Sequence, residues 1–136
     1  MLNVKDITGP EKIGEAFARI FNDHFDVDDL ILLYEEGATF FDGETPVVGH
    51  DAIRKALAPL GGMPGVMESK VNFCVVNGDV ALMRADYRLV DEGRVVLTGS
   101  SVEIVRRQAD GTWRYMIDHP TGASLASQSL NKDASS

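Results

Sequence analysis

Residues 66–119 read VMESKVNFCVVNGDVALMRADYRLVDEGRVVLTGSSVEIVRRQADGTWRYMIDH. Apolar and polar residues alternate along most of this stretch. Three dipeptides ending in glycine interrupt it: Asn77-Gly78, Glu92-Gly93 and Asp110-Gly111. Each supplies the positive-φ residue that a tight hairpin loop demands. The stretch therefore predicts an antiparallel meander with strands at 66–76, 79–90, 94–108 and 112–119.

Upstream, the period changes. Residues 10–24 place Ile13, Phe17, Ile20 and Phe21 at helical spacing behind Pro10, which suits a first helical turn. Asp26 is a good N-cap for a short second helix carrying Leu30 and Ile31. A brief strand at 38–41 breaks at Asp42-Gly43, a short stretch at 46–48 follows, and a third helix starts near His50 and ends at Pro59 and Gly61-Gly62. Helices first and a meander after them place the chain in the α+β class. Residues 1–9 read as a lead-in, 10–120 as one domain, and the Ser/Ala-rich 121–136 as a flexible tail.

With two-residue loops throughout, the hairpins fix the register. Arg84 then faces Val71 and Ser101, Asp86 faces Gly99, and Leu82 faces Phe73 and Glu103. Glu103 faces Asp118, and Val105 faces Met116. One sheet face would carry Val71, Phe73, Leu82, Leu97 and Met116 together with Arg84, Asp86, Glu103 and Asp118. The other would carry Met83, Tyr87, Ile104, Trp113, Tyr115 and Ile117. Both faces are largely apolar, so both need cover: helices on one, and a second copy of the chain on the other. The charged face is placed against the helices. The apolar first strand favours the charged face, and the aromatic residues of the last strand favour the other. With the charged face inward, Phe17, Tyr34 and Phe40 join that face in lining a pocket for a small molecule. The remaining face then forms a homodimer.

The chain has 136 residues, 44% hydrophobic and 25% charged, with formal charge −8. These values fit one soluble domain. The acidic balance argues against nucleic acid, whose binding rests on basic patches. No apolar run is long enough for a membrane span, and no secretory leader pattern opens the chain, so the expected location is cytoplasmic. The single cysteine, Cys74, excludes an intramolecular disulfide and falls on the outer face in this register, where it reads as an inert thiol. The histidines His24, His50 and His119 lack metal-ligand spacing. No phosphate loop or dinucleotide fingerprint is present. Neither metal nor cofactor is expected.

The segments DLILLYEEGATFFD (29–42), VVGHDAIRKAL (47–57), GDVALMRADYRL (78–89) and VEIVRRQADGTWRYMIDHP (102–120) occur in an order that resembles the nuclear transport factor 2-like superfamily. Within it, they are most similar to the ketosteroid isomerase-like and SnoaL-like polyketide cyclase group. The resemblance covers residues 10–120 and implies a cone: a strongly curved, mainly antiparallel sheet wrapped around three helices, often dimeric. Ketosteroid isomerase would place its general base at Asp42 and its protonated acid at Glu103. Its oxyanion-hole tyrosine would fall near Ala18, where no tyrosine stands. Limonene epoxide hydrolase would place its Asp-Arg-Asp triad on Asp86, Arg84 and Asp118, with its Tyr and Asn at Phe40 and Asp42. Cyclase relatives carry an acid on the last strand, where Asp118 stands.

Two functions follow. The first is cofactor-free acid–base catalysis (isomerisation, cyclisation or hydration) on a small apolar carbonyl, enol or epoxide compound. Asp118 would move the proton with Asp42 or Glu103, and Arg84, held by Asp86, would stabilise a charged oxygen. The second is a non-catalytic module that binds a ligand in the cone or assembles through its outer sheet. Each residue also has a plain reading. Asp42 can be a turn residue before Gly43, Glu103 a counter-charge to Arg84, and His50 a helix cap.

Overall fold

The computed structural model describes residues 3–124. Of the tail 121–136 expected to be flexible, residues 125–136 lie outside the described ones, and Ser124 accepts from the Ser100 amide at 3.1 Å. Three helices, α1 (Lys12–Asp23), α2 (Val27–Ile31) and α3 (His50–Leu57), pack in the hollow of a curved seven-stranded sheet. The strands are β1 (Tyr34–Asp42), β2 (Thr45–Val48), β3 (Val66–Asn77), β4 (Val80–Asp91), β5 (Arg94–Ser100), β6 (Val102–Arg107) and β7 (Trp113–His119). Their order is β2-β1-β7-β6-β4-β3, with β5 and β6 following one another along the same edge of β4. Among the described residues only the β1–β7 pair is parallel. No described helix is long and apolar enough to cross a membrane.

The local signals act as expected at several points. Asp26 accepts from the Asp28 amide at 2.9 Å and starts α2. Ile13, Ala16 and Ile20 of α1, Leu30 of α2, and Ile53 and Leu57 of α3 are buried against the sheet. Asn22 fastens α1 to β3, donating to the Met67 carbonyl (2.9 Å) and accepting from its amide (2.7 Å). His50, read as a cap, instead donates through Nε2 to the Tyr34 carbonyl at 2.9 Å, tying α3 to β1. The expected third strand is divided at Ser101. That side chain is buried and exchanges hydrogen bonds with the backbone of Ala85.

The faces differ from the expectation, and the reason is three register shifts. Near the β4–β5 turn the pairing is as read, Asp91 with Arg94, and Glu92-Gly93 forms the loop with φ of 50° and 78°. An extra residue at Val96 then moves Leu97 opposite Leu89 and Gly99 opposite Tyr87. In β3 the extra residue is Asn72, which separates Phe73 (opposite Arg84) from Val71 (opposite Ala85). In β7 it is Met116, so Val105 faces Tyr115, not Met116. Each inserted residue reverses which side the rest of the strand presents.

The inner face of β4 is therefore Ala81, Met83, Ala85, Tyr87 and Leu89, and its outer face is Leu82, Arg84, Asp86 and Arg88. Met83, Trp113 and Tyr115, expected on the dimer face, are buried beneath the helices. Cys74 pairs with Met83 and packs against the same core. Phe73, Val75 and Leu82, expected inside, are exposed on the outer face. Of the face expected to meet the helices, Val71, Leu97, Glu103 and Asp118 lie on the inner side, and Phe73, Leu82, Arg84 and Asp86 do not.

Met83 is 0% exposed and its neighbour Leu82 is 43%. Met83→Ala is expected to lower unfolding free energy by about 2–5 kcal/mol, and Leu82→Ala by under about 1 kcal/mol. Denaturant unfolding of the two variants measures the difference, and equal losses would contradict these faces.

Candidate functional site

A cavity of about 240 Å³ opens between the helices and the inner face of the sheet. Phe17 of α1 and Ala56 of α3, with Leu60 just beyond it, form the helical wall. Phe40 and Phe41 come from β1, Leu97 from β5, and Pro120 with Thr121 stand beyond β7. Tyr87 also lines it, and its hydroxyl donates to the Pro120 carbonyl at 2.7 Å. Gly99 makes room for that ring: a Cβ there would lie 2.2 Å from the Tyr87 hydroxyl oxygen.

At the floor lie Glu103 of β6 and Asp118 of β7, paired directly across the strands. Both are buried, at 6% and 4% exposure. Directly opposed side chains have Cβ atoms about 5 Å apart. The two acids therefore interact strongly. Tyr34, at the start of β1, donates its hydroxyl to Asp118 Oδ2 at 2.6 Å from within the core. Its ring lies 4.8 Å from that of Tyr115, which holds the phenol in place. Glu103, in contrast, keeps one oxygen, Oε1, buried without a hydrogen bond.

This asymmetry sets the protonation. Burial, and then the charge of Asp118, push Glu103 up to about 8, although the Ser101 side chain pulls it down. Burial raises Asp118 to about 6, and the Tyr34 hydrogen bond opposes that rise. Near neutrality Asp118 therefore carries the charge and Glu103 keeps the proton. The tyrosines stay protonated: burial raises Tyr34 and Tyr115 well above the usual phenol value, and Tyr87 to about 12. The floor thus pairs a proton donor with a proton acceptor.

The structure brings together some of the expected residues and separates others. Glu103, Asp118, Phe17, Phe40 and Leu97 line the cavity, and Asp42 stands at its exposed edge on the β1–β2 turn. Tyr34 lies beneath the cavity rather than lining it. Val71 is on the inner face but does not reach the cavity, and Met116 is the half-buried inserted residue of β7. Phe73 and Leu82 are outside.

Arg84 and Asp86 are also outside, because β4 runs without a bulge and both alternate with buried Met83 and Ala85. They form a surface network: Arg84 to Asp86 at 3.2 Å, Ser100 to Asp86 at 2.8 Å, and Asn72 to Asp86 at 2.8 Å. Hydrogen bonds from Asn72, and then Ser100, hold Asp86 below the usual carboxylate range. Sequence reasoning missed Tyr115, Tyr87 and Ser101 as members of the site. The signal that would have found them is the face reversal, which no local motif announces.

Comparison with known proteins gives a consistent frame. Residues 14–116 match the SnoaL-like domain. A protein from Thiobacillus denitrificans, assigned as a calcium/calmodulin-dependent protein kinase type II association domain, is 21% identical with TM-score 0.69, over 82% of this chain and 93% of that one. A ketosteroid isomerase-like protein from Erwinia carotovora atroseptica is 19% identical with TM-score 0.65, over 85% and 95%. A Novosphingobium aromaticivorans protein, assigned as an aromatic ring hydroxylase, is 24% identical with TM-score 0.66, over 89% and 91%. At these identities the likeness is one of fold, of the nuclear transport factor 2-like and ketosteroid isomerase-like kind. Comparison with curated proteins returns no match.

Between about pH 4.5 and 8 folded Glu103 holds a proton that the unfolded chain has released. Its contribution to stability is therefore complete at the acid end and is lost as pH rises, by at most about 1.4 kcal/mol per unit. Asp118 adds the same sign up to about pH 6. The melting temperature is expected to fall from pH 5 to pH 8, and Glu103→Gln is expected to flatten most of that fall. Identical pH dependence in the variant would contradict the assignment.

Proposed function

The chain belongs to the SnoaL-like domain family, and from that premise we propose that it is an enzyme of acid–base chemistry on a small molecule bearing a carbonyl, enol or epoxide oxygen. The observation that carries this reading is the buried carboxyl pair at the cavity floor, Asp118 bonded to Tyr34 and Glu103 with an unpartnered Oε1. In the carbonyl case, Glu103 donates a hydrogen bond to the substrate oxygen. Asp118, with Oδ2 occupied by Tyr34, uses Oδ1 to take a proton from the adjacent carbon. As that C–H bond breaks, its electrons move toward the oxygen, where Glu103 opposes the growing charge. Return of the proton to a different carbon completes an isomerisation. The cycle moves protons alone and asks for no cofactor. Glu103 fills the role expected of Arg84, whose guanidinium lies across the sheet.

The test is exchange of the methyl protons of acetophenone in D2O, followed by proton NMR. The wild type is expected to accelerate exchange over buffer. Asp118→Asn should lose about 10²–10⁴ of that acceleration. The rate should be bell-shaped in pH, with limbs near about 6 and about 8 set by Asp118 and Glu103. Acetophenone that binds without accelerated exchange would leave the binding-module reading in its place.

A second part of the reading concerns assembly. Phe73, Val75 and Leu82 form an exposed apolar row on the outer face, continued by Ile104 and Ile117. A row of this kind is the usual mark of an interface, and a second copy can cover it isologously. This replaces the face first expected for the homodimer and keeps only its Ile104 and Ile117. Sedimentation should show a wild-type dimer and a folded monomer for Leu82→Asp. A wild-type monomer would refute it.

A further inference from the structure

We infer that the cavity takes a compact, uncharged, ring-bearing substrate whose oxygen accepts from Glu103, and that it turns away carboxylates and phosphates. The inference rests on the acid–base reading of the same site and names the class of molecule that reading serves.

Charge is the first constraint. Among the described residues that line the cavity there is no lysine, arginine or histidine, whereas three carboxyl groups do line it, Asp42, Glu103 and Asp118. An anion brought inside would lose its water, meet the charge of Asp118 and find no cation to pair with. Burial of an unpaired charge is among the most unfavourable steps a site can ask for. The guanidinium of Arg84 does not relieve this, because it lies on the outer face and is paired with Asp86 at 3.2 Å.

The second constraint is the polar group left unanswered. The carboxylate of Asp118 already receives the Tyr34 hydroxyl at 2.6 Å. What lacks a partner is Oε1 of Glu103, which is buried and makes no hydrogen bond. Since that side chain holds a proton near neutrality, the complement it lacks is an acceptor, and a ketone or ether oxygen supplies one without charge. An ammonium group, having donors only, could answer Asp118 Oδ1 but would leave the proton of Glu103 without an acceptor.

Size and shape supply the third. A volume of about 240 Å³ equals about eight waters at their liquid share of ~30 Å³ each. It lies below the ~300–1,000 Å³ of pockets for drug-sized ligands. One ring with a short substituent fills it. The flat walls offered by Phe17, Phe40, Tyr87 and Tyr115 suit such a ring. The mouth wall is braced by Tyr87, packed on Gly99 and bonded to the Pro120 carbonyl.

The experiment compares acetophenone, benzoate and benzylammonium, matched in size and differing in charge, by amide chemical-shift titration of the full chain at pH 7. Acetophenone is expected to bind at least about tenfold more tightly than benzoate and to shift resonances around Glu103. Leu97→Trp, at a half-exposed position on the cavity rim, should weaken acetophenone binding, with circular dichroism checking that the variant is folded. Benzoate binding as tightly as acetophenone, or benzylammonium binding more tightly, would overturn the inference. So would acetophenone binding untouched by Leu97→Trp, or no binding of any probe at millimolar concentration. Bound acetophenone without proton exchange defeats the catalytic reading alone, and exchange with equal benzoate affinity defeats this inference alone.

Discussion

Everything in the site depends on one inserted residue in the last strand. Tyr115 and Asp118 are three residues apart, so a regular strand would send one to each face. With Met116 unpaired, Val105 faces Tyr115 while Glu103 still faces Asp118. Aromatic bulk and acid then enter the same cavity. A regular β7 could pack Trp113 and Tyr115 under the helices only by sending Asp118 outside. The bulge lets the sheet bury its aromatic residues and keep an acid beside them.

That placement has electrostatic consequences. Two carboxyls side by side in a water-poor floor cannot both ionise easily, so the pair shares one charge near neutrality. Tyr34 decides where it rests, because its hydroxyl serves Asp118 and not Glu103. The position of Tyr34 is in turn fixed from several sides. His50 of α3 holds its carbonyl at 2.9 Å, and the Tyr115 ring stacks obliquely against it at 4.8 Å. The helices thus do more than cover the sheet: through β1 they set which acid is charged. Glu103 is left with one buried oxygen, Oε1, that makes no hydrogen bond, an arrangement that costs stability.

Much of this architecture was legible in the residues. The helical spacing of Ile13, Ile20 and Phe21, the Asp26 cap and the Glu92-Gly93 turn all act locally, over one turn of chain, and each is found in the fold. The order of segments 29–42, 47–57, 78–89 and 102–120 resembled the right superfamily. The opposition of Glu103 and Asp118 matches the two-residue-loop register only because two departures cancel. The extended β6–β7 loop, where Gln108 accepts from Gly111 and donates to Thr112, and the Met116 bulge offset one another before that pair is reached.

Local residue patterns were enough to set the elements, their order and the class of fold. Only the tertiary structure decided which faces those elements present. Strand side chains alternate with period two, so a shift of one residue reverses every position beyond it. Asn72, Val96 and Met116 carry no local mark of a bulge, as a glycine or an Asx turn would. Their positions follow from how Met83, Trp113 and Tyr115 fill the space beneath the helices, a packing condition spread over the whole core. For the same reason Arg84 and Asp86, neighbours of the site in sequence pattern, finish on the opposite side of the sheet from it.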